Sequence, residues 1–384
     1  MTKPFLDTRL LWSSGLLIAL GFLMVVSASM HLGDKLPASA LSYPQRQALH
    51  LLLAAVASTV IMTMPLALWQ RLARPMLIGS IALLALVLIP GLGVEVNGSR
   101  RWLAVPGLRI QVSELAKLAS IFYLASFIAT YKAELGRHMA VTLWPLRWFV
   151  PIMFLLLMEP DFGSAVVIMF IMLGLLFLAG AQWQLFVGLL LAGSAGAASL
   201  VYFSPYRWQR VVSFLDPWAD AQASGFQLVQ ALIAFGRGEI TGVGLGSGVQ
   251  KLFYLPEAHT DFLLSVLAEE LGLLGVTLVI GLFAVLIWRA LLIAQKALRQ
   301  DMLFAGYLAY GVALWFFFQA FVNIGVNMGI LPTKGLTLPL MSYGGGSMIV
   351  MCSALALLQR VHHETVQQIH AQPEIGRIRW PRQL

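Results

Sequence analysis

The chain is poor in charged residues, in cysteine and in basic clusters. Asp, Glu, Lys and Arg make up only 11% of its 384 residues, less than half of the usual quarter. A soluble domain of this size needs far more polar surface, so a water-soluble enzyme is excluded. The single cysteine, Cys352, excludes an intramolecular disulfide and a thiolate zinc site. No run of Lys or Arg exceeds two residues, so the net charge of +8 does not indicate a nucleic-acid partner.

What the chain has instead is apolar residues, which make up 59% of it and stand in long runs. One membrane span needs about 20 predominantly apolar residues. The runs therefore predict an all-α polytopic membrane protein with about ten transmembrane helices. The predicted spans are 11–30, 47–65, 75–92, 112–130, 146–158, 164–180, 183–203, 262–288, 302–326 and 340–359.

The distribution of Lys and Arg predicts the orientation of these spans, since cytoplasmic loops are enriched in both. The segments on the side of the N-terminus hold 14 of them and the opposite loops hold 10. Both termini are therefore predicted to be cytoplasmic, with residues 361–384 as a tail. Residues 1–384 are predicted to form a single transmembrane domain. Its one large extracytoplasmic loop, 204–261, is aromatic enough to predict a folded segment rather than a disordered one.

Asp261 is the first candidate for a catalytic residue. It stands just before the eighth predicted span together with Glu257 and His259, so three titratable groups lie within five residues beside lipid. An aspartate at such a position is often only a helix N-cap. Desolvation and like charge, however, raise the pKa of a carboxylate towards the range of a general base. Both interpretations follow from the residues, and the crowding favours the base.

Charged residues also occur inside predicted spans, where they are costly and usually functional. Glu114 and Lys117 lie at i and i+3 of the fourth span, which predicts a buried ion pair on one helix face. Glu269 and Glu270 lie deeper in the eighth span and point to different faces, so at least one needs a partner in the bundle. Structural pairing is favoured over catalysis. The sequence does not decide whether Lys117 pairs with Glu114 or with the later glutamates.

The predicted outer loops carry a set of cations. Any one of them is usually a solvated loop charge, but guanidinium groups bind phosphate in a bidentate way and lysine binds it as a point charge. The candidates for binding phosphate or pyrophosphate are Arg100, Arg101, Arg109, Arg207, Arg210 and Lys334. Glu159 and Asp161 form a tight outer turn, for which a turn and cap role is favoured over a metal site.

The segment that opens the tenth span contains Ser342, Tyr343 and three consecutive glycines. It has neither P-loop nor dinucleotide-binding spacing, so the glycines alone are a weak signal for a phosphate cradle. Tight helix packing explains them at least equally well. Ser342 and Tyr343, together with Glu257 and His259, are candidates for substrate binding.

Taken together, these segments resemble the motifs of the SEDS family (shape, elongation, division and sporulation) over about residues 10–360. The resemblance is carried by Asn97-Gly98-Ser99-Arg100-Arg101-Trp102, Glu159-Pro160-Asp161-Phe162-Gly163, Pro256-Glu257-Ala258-His259-Thr260-Asp261-Phe262, Leu267-Ala268-Glu269-Glu270-Leu271-Gly272 and Gly335-Leu336-Thr337-Leu338-Pro339-Leu340-Met341-Ser342-Tyr343-Gly344-Gly345. The last run and the neutral Ala258 are more similar to the division branch than to the elongation branch. The chain departs from the usual family pattern at Met348 and at Leu263-Leu264, neither of which touches Asp261.

The resemblance implies a peptidoglycan glycosyltransferase that polymerises lipid II at the outer face of the bacterial inner membrane, at the division septum. It implies that Asp261 is the catalytic residue. The implied partners are lipid II, a class B penicillin-binding transpeptidase and the division proteins FtsQ, FtsL and FtsB. No organic cofactor is implied, and the residues leave open whether a divalent cation such as Mg²⁺ or Mn²⁺ takes part.

The residues themselves are consistent with glycosyl transfer. Polyprenyl pyrophosphate is a good leaving group that needs cationic neutralisation rather than a general acid. One carboxylate is then enough to deprotonate the acceptor hydroxyl, whereas glycosidases use two. Three alternatives remain open: a lipid II flippase that uses the buried charges, an elongation-type polymerase, and a scaffold for division proteins without chemistry of its own.

Overall fold

The computed structural model describes residues 6–35, 41–96, 99–105, 108–223, 225–332 and 335–371, and these are mostly helical. The helices are α1 (Thr8–Ser29), α2 (Tyr43–Thr63), α3 (Leu66–Val87), α4 (Val112–Leu135), α5 (Met139–Leu143), α6 (Leu146–Met158), α7 (Phe162–Leu178), α8 (Trp183–Tyr202), α9 (Pro205–Leu215), α10 (Phe226–Gly238), α11 (Leu263–Leu298), α12 (Leu303–Asn327) and α13 (Gly345–Ala371). A short 3₁₀ helix, Met30–Lys35, follows α1. Each of the ten predicted spans overlaps a helix.

Seven stretches in the described part of the chain are long and apolar enough to cross a membrane. They are Thr8–Leu32, Tyr43–Thr63, Leu66–Val87, Val112–Leu135, Met139–Met158, Leu263–Leu298 and Leu303–Asn327. Phe162–Leu178 and Phe186–Gly196 are apolar but shorter. These helices confirm a polytopic membrane protein. The predicted third span began too late, because α3 starts at Leu66 and carries its two arginines in its first turns, where long side chains reach the interface.

Helix α4 forms the centre of the bundle. In its most apolar window 83% of the residues are buried, more than in any other of the seven stretches. It packs against α3, α7 and α12. Small side chains such as Ala116, Ala119 and Ser120 let these neighbours approach closely. The charged residues Glu114 and Lys117 therefore lie in the interior of the protein and not towards lipid.

A three-stranded antiparallel sheet lies between α3 and α4, so the prediction of an all-α fold is wrong in this detail. The strands are β1 (Gly93–Val96), β2 (Ser99–Val105) and β3 (Leu108–Gln111), in the order β1-β2-β3. Strands this short give little periodic signal. The sequence does contain a hairpin signal, Asn97-Gly98, between valine-rich flanks. Those two residues themselves lie outside the described part.

Residues 204–261, predicted as one large loop, contain α9, α10 and a run of turns that folds back onto α11. Helix α11 is interrupted at Gly272, whose φ of 64° lies in the left-handed region. The N–H groups of Val243 and Gly244 donate to the carbonyls of Glu269 and Glu270 at 3.0 and 3.1 Å. The break therefore exposes backbone groups that the loop satisfies, as non-helical backbone at membrane depth requires.

Substituting Gly242 tests this contact between the loop and α11. Gly242 has φ +81°, and an added Cβ would overlap the carbonyl oxygen of Glu270. Gly246 has φ +82° and open space around it, so Gly246→Ala carries only the backbone cost of about 1–2 kcal/mol. We expect Gly242→Ala to lower the melting temperature more and to speed hydrogen exchange in residues 239–251. Equal effects of the two substitutions on the melting temperature would show that the packing of Gly242 against α11 does not contribute to stability.

The start of α1 and the later part of α13 lie at the same end of the bundle. The main chain of Asp7 exchanges two hydrogen bonds with the Gln359 side chain, at 2.8 and 3.1 Å, and the Asp7 carboxylate pairs with Arg289. Burial raises the pKa of Asp7, but its hydrogen bonds and the charge of Arg289 outweigh burial and lower the pKa overall. The predicted tail begins as helix, because α13 continues to Ala371, and its remainder lies outside the described residues.

Candidate active site

Asp261 lies two residues before α11 and is held there through its main chain. Its carbonyl oxygen accepts hydrogen bonds from the side-chain amides of Asn323 and Asn327 on α12, both at 2.9 Å. Asn327 also accepts from the main chain and hydroxyl of Ser265, which ties α12 to the first turn of α11. The N-cap of α11 is Phe262, and it has no side-chain cap. Asp261 is therefore not a helix cap, so its carboxylate is left for another role.

The Asp261 carboxylate has a pKa close to neutral pH. Burial raises its pKa to about 7; Glu257 and Asp161 add to the shift, and the Arg101 guanidinium opposes it. Its oxygens take no hydrogen bond from a residue that the structure describes. Such a carboxylate exchanges a proton at neutral pH, which is the property of a general base.

Arg101 is the predicted cation that the structure brings to Asp261. It extends from β2, and its Nε and Nη2 atoms donate to the main-chain oxygens of Glu159 and Pro160 at 3.1 and 2.6 Å. A Cβ added at Gly335 would lie 3.3 Å from Asp261 Oδ2 and 4.0 Å from Arg101 Nη1. The carboxylate and the guanidinium thus face the same glycine without forming an ion pair.

The turn at 159–161 supplies two carboxylates with different roles. Asp161 accepts from the main-chain N–H of Ser164 at 3.2 Å and caps α7, as predicted. Glu159 is fully buried, and no residue that the structure describes donates a hydrogen bond to either of its carboxylate oxygens. Burial raises the pKa of Glu159 to about 8; Asp161 adds to this and Arg101 opposes it. At neutral pH this side chain is therefore mostly protonated and adds little charge beside Arg101.

Residues 335–343 form a second wall of the site. The Asn323 amide donates to Leu336 O at 2.6 Å and the Gln319 amide donates to Thr337 O at 3.1 Å. Ser342 Oγ accepts from Leu338 N at 2.9 Å, so this hydroxyl shapes the turn. The side chains of Gln319 and Asn323 on α12 thereby fix the backbone that passes Asp261.

Aromatic rings cover the same end of the site. The His259 ring lies 4.7 Å from that of Tyr43 and 5.6 Å from that of Tyr343, whose main-chain N–H donates to His259 O at 2.9 Å. Burial lowers the pKa of His259, against the opposing charge of Glu257, which favours the neutral form of its ring. Glu257 itself is exposed and accepts from Thr260 Oγ1 at 2.7 Å.

The other predicted cations do not converge on Asp261 in the described structure. Arg100 is half-exposed and pairs with Glu95 at 3.0 Å, and Arg109 is exposed on β3. Lys334 and the side chains of Arg207 and Arg210 lie outside the described residues. Sequence reasoning missed Arg46, which lies in the first turn of α2 close to Tyr343. In the sequence, the signal for Arg46 was its position near Tyr43 at the start of a helix.

The four buried charges are paired within the bundle. Lys117 Nζ lies 2.6 Å from Glu114 Oε1 and 3.2 Å from Gln319 Oε1, so it pairs on its own helix and not with the later glutamates. Glu269 accepts from the N–H groups of residues 249 and 250 at 3.0 and 3.1 Å and lies 3.4 Å from Arg237. These contacts hold the returning loop against α11.

Glu270 holds the same loop one residue further along α11. It pairs with Lys251 at 2.6 Å and accepts from Ser27 at 2.7 Å and from Gly246 N at 3.0 Å. Together the two glutamates give the glycine-rich stretch a fixed position. Among the described residues no group of three or more His, Cys, Asp or Glu side chains is arranged to hold a metal. The predicted divalent cation stays a prediction.

Comparison with known proteins confirms the resemblance read from the motifs. The family model described as "Cell cycle protein", covering FtsW, RodA and SpoVE, matches residues 8–367. A probable peptidoglycan glycosyltransferase FtsW of Methylomonas methanica is 53% identical over 95% of this chain and 94% of its own length. The protein of the same description from Methylococcus capsulatus is 54% identical over 94% of this chain and 91% of its own length.

Two solved structures share the fold over nearly their whole length. One is a chain from a study of how a peptidoglycan synthase complex coordinates polymerization and crosslinking; it is 31% identical, with a TM-score of 0.76, over 94% of this chain and 98% of that one. The other is the rod shape determining protein RodA of Thermus thermophilus, 30% identical with a TM-score of 0.67 over 94% of this chain and 97% of that one. The chain therefore belongs to the FtsW, RodA and SpoVE family of cell cycle proteins, the SEDS family.

Proposed function

We propose that the chain is a peptidoglycan glycosyltransferase that polymerises lipid II into glycan strands at the outer face of the inner membrane, with Asp261 as its general base. The Asp261 carboxylate carries this proposal: it is fixed before a membrane helix, accepts no hydrogen bond from a described residue and lies near Arg101. A carboxylate with a pKa near 7 accepts a proton at neutral pH, and a neighbouring cation neutralises phosphate.

In the proposed step, the hydroxyl of the acceptor sugar gives its proton to Asp261 while its oxygen attacks the anomeric carbon of the lipid-linked sugar. The bond from that carbon to the pyrophosphate oxygen breaks, and its electron pair leaves with polyprenyl pyrophosphate. Attack from the opposite face inverts the α linkage to β. Arg101 is placed to neutralise the leaving group, which needs no general acid because pyrophosphate is a stable anion.

The names of the relatives support a division-type role. The FtsW proteins are 53 and 54% identical to the chain, whereas the RodA structure is 30% identical. We therefore assign the chain to septal wall synthesis. Its proposed partners are a class B penicillin-binding transpeptidase and FtsQ, FtsL and FtsB. A related chain from a peptidoglycan synthase complex supports the transpeptidase.

The proposed topology has ten spans and cytoplasmic termini, and it places residues 204–261 on the outer side of the inner membrane. Ten helices that overlap the predicted spans support the count, and the excess of Lys and Arg on the side of the termini supports the orientation. This topology places Asp261 at the outer interface. Lipid-carried sugars are the activated donors on that side.

The deciding experiment is polymer synthesis in detergent. Purified protein with its transpeptidase partner is given lipid II in micelles, where no second leaflet exists, and glycan length is measured on gels. Polymer formation supports the polymerase and cannot arise from flipping alone. No polymer here, together with lipid II translocation by the same protein in vesicles, would replace this proposal by the flippase alternative. The pairing of Glu114, Lys117, Glu269 and Glu270 within the bundle does not favour that alternative.

The rate should depend on pH through Asp261. A general base works only when deprotonated, so a pKa of about 7 predicts a rate that falls below pH 7 and levels off above it. Arg101 lowers this pKa, so Arg101→Gln should move the midpoint of the pH profile of kcat/KM upwards. Arg100→Gln, on the same strand, removes an exposed cation paired with Glu95 and should leave the midpoint in place. An unchanged midpoint in Arg101→Gln would contradict the assigned coupling.

A further inference from the structure

A cleft of about 180 Å³ opens between α3, α4 and α6, far from Asp261. We call it the arginine cleft; its lining residues are Gln70, Arg71, Arg74, Tyr123, Ser126, Phe127, Thr130, Tyr131 and Arg147. Three guanidinium groups, from two helices, face polar side chains supplied by α4. None of the three arginines is within ion-pair distance of a carboxylate among the residues the structure describes. The cleft is thus a cationic site with no internal counter-charge in the described chain.

The arginine cleft lies at the membrane interface opposite the candidate active site. Helix α4 begins at Val112, next to the sheet that carries Arg101. It gives to the cleft Tyr123 and, further along the helix, four of the residues from Ser126 to Tyr131. At 1.5 Å per residue these lie about 21–28 Å further along the helix, close to the thickness of the hydrocarbon core of about 30 Å. The cleft therefore meets the headgroup region of the other leaflet.

Each arginine-bearing helix face continues into exposed apolar side chains towards the membrane centre. On α3, Ile78 follows Arg74 by four residues and is 47% exposed. On α6, Val150 and Phe154 follow Arg147 by three and seven residues and are 60% and 62% exposed. Residues at these spacings share a helix face. A ligand with an anionic head in the cleft would thus meet apolar surface beneath it.

We propose that the arginine cleft binds the phosphodiester headgroup of an anionic phospholipid, with its acyl chains along the apolar faces of α3 and α6. Arginine matches phosphate in charge and geometry, and the hydroxyl and amide groups from Gln70, Ser126 and Thr130 add hydrogen-bonding capacity. The cavity is smaller than the usual 300–1,000 Å³ of a site for a whole small molecule. It suits a headgroup whose remainder stays in the bilayer. This site is separate from the proposed catalytic reaction and does not depend on it.

The test compares lipid retention by the whole protein. Purified wild type receives equal amounts of phosphatidylglycerol and phosphatidylcholine in detergent, and bound lipids are counted by native mass spectrometry. We expect wild type to retain phosphatidylglycerol preferentially and Arg74→Gln/Arg147→Gln to lose this preference, by about fivefold for each arginine removed. The matched control, Arg137→Gln/Arg299→Gln, removes two exposed arginines that do not line the cleft and should keep the preference.

Equal loss in both double variants would show general charge attraction and overturn the proposal. So would equal retention of the two lipids by wild type, a result that needs no variant and stays decisive if a variant fails to fold. Inorganic phosphate distinguishes a soluble anion from a lipid. If phosphate raises the melting temperature of wild type only, and phosphatidylglycerol shows no preference, the site binds a free anion and the lipid assignment is wrong.

Discussion

Replacing Asp261 by asparagine is expected to abolish glycan polymerisation while leaving the protein folded in the membrane. Asparagine keeps the size of the side chain and the main-chain bonds to Asn323 and Asn327, but it cannot accept a proton at neutral pH. Loss of a general base lowers a rate by about 10²–10⁴-fold. The measurement is the initial rate of polymer formation from lipid II with the transpeptidase partner present.

Asp216→Asn is the matched control for this substitution. Asp216 belongs to the same stretch between α8 and α11 and is exposed, and its carboxylate accepts a turn hydrogen bond from the N–H of Ala219 at 3.2 Å. Its variant should polymerise lipid II at the wild-type rate. A folded Asp261→Asn protein with near-normal polymer output would refute the assignment of the base, whatever the control does.

The largest effect on stability is expected from Lys117. Its side chain is fully buried at 2.6 Å from Glu114, so Lys117→Ala leaves a carboxylate buried without its partner. Breaking a buried pair in this way costs about 3–5 kcal/mol. Activity should fall as well, because Lys117 also contacts Gln319, whose amide holds the backbone at Thr337. Thermal unfolding in detergent measures the first effect and polymer formation the second.

Lys296→Ala provides the comparison for Lys117→Ala. Lys296 is exposed in the last turn of α11, and its loss should change the melting temperature little. The double variant Glu114→Gln/Lys117→Met removes both charges and should regain much of the lost stability, since two neutral side chains leave no buried charge unpaired. Equal melting temperatures of Lys117→Ala and Lys296→Ala would contradict the ion pair.

The family and the candidate base were predictable because both depend on local sequence. Apolar runs of about 20 residues predict helices wherever they occur, and the helices overlap all ten runs. Asp261 was identifiable from its neighbours Glu257 and His259. The sheet at 93–111 was not predicted, because its strands are only four to seven residues long and too short to show a clear periodic pattern.

The partners of individual side chains were not predictable in the same way. Among six predicted cations, the described structure places only Arg101 beside Asp261. The sequence favoured structural pairing for Glu269 and Glu270 but did not identify their partners; the structure bonds both to the loop that returns to α11. Glu159 has the local sequence of an ordinary turn residue. Only the structure shows that it is buried and that no described residue donates a hydrogen bond to its carboxylate oxygens.

The sequence by itself determined the class of protein, the apolar helices, the family and the position of the candidate base, because composition, periodicity and motifs are properties of short stretches. Only the tertiary structure decided which charges meet. Lys117 and Gln319 are 202 residues apart in the chain, so no local sequence pattern relates them. Their contact exists because α4 packs against α12 in the centre of the bundle, where burial makes each charge require a partner.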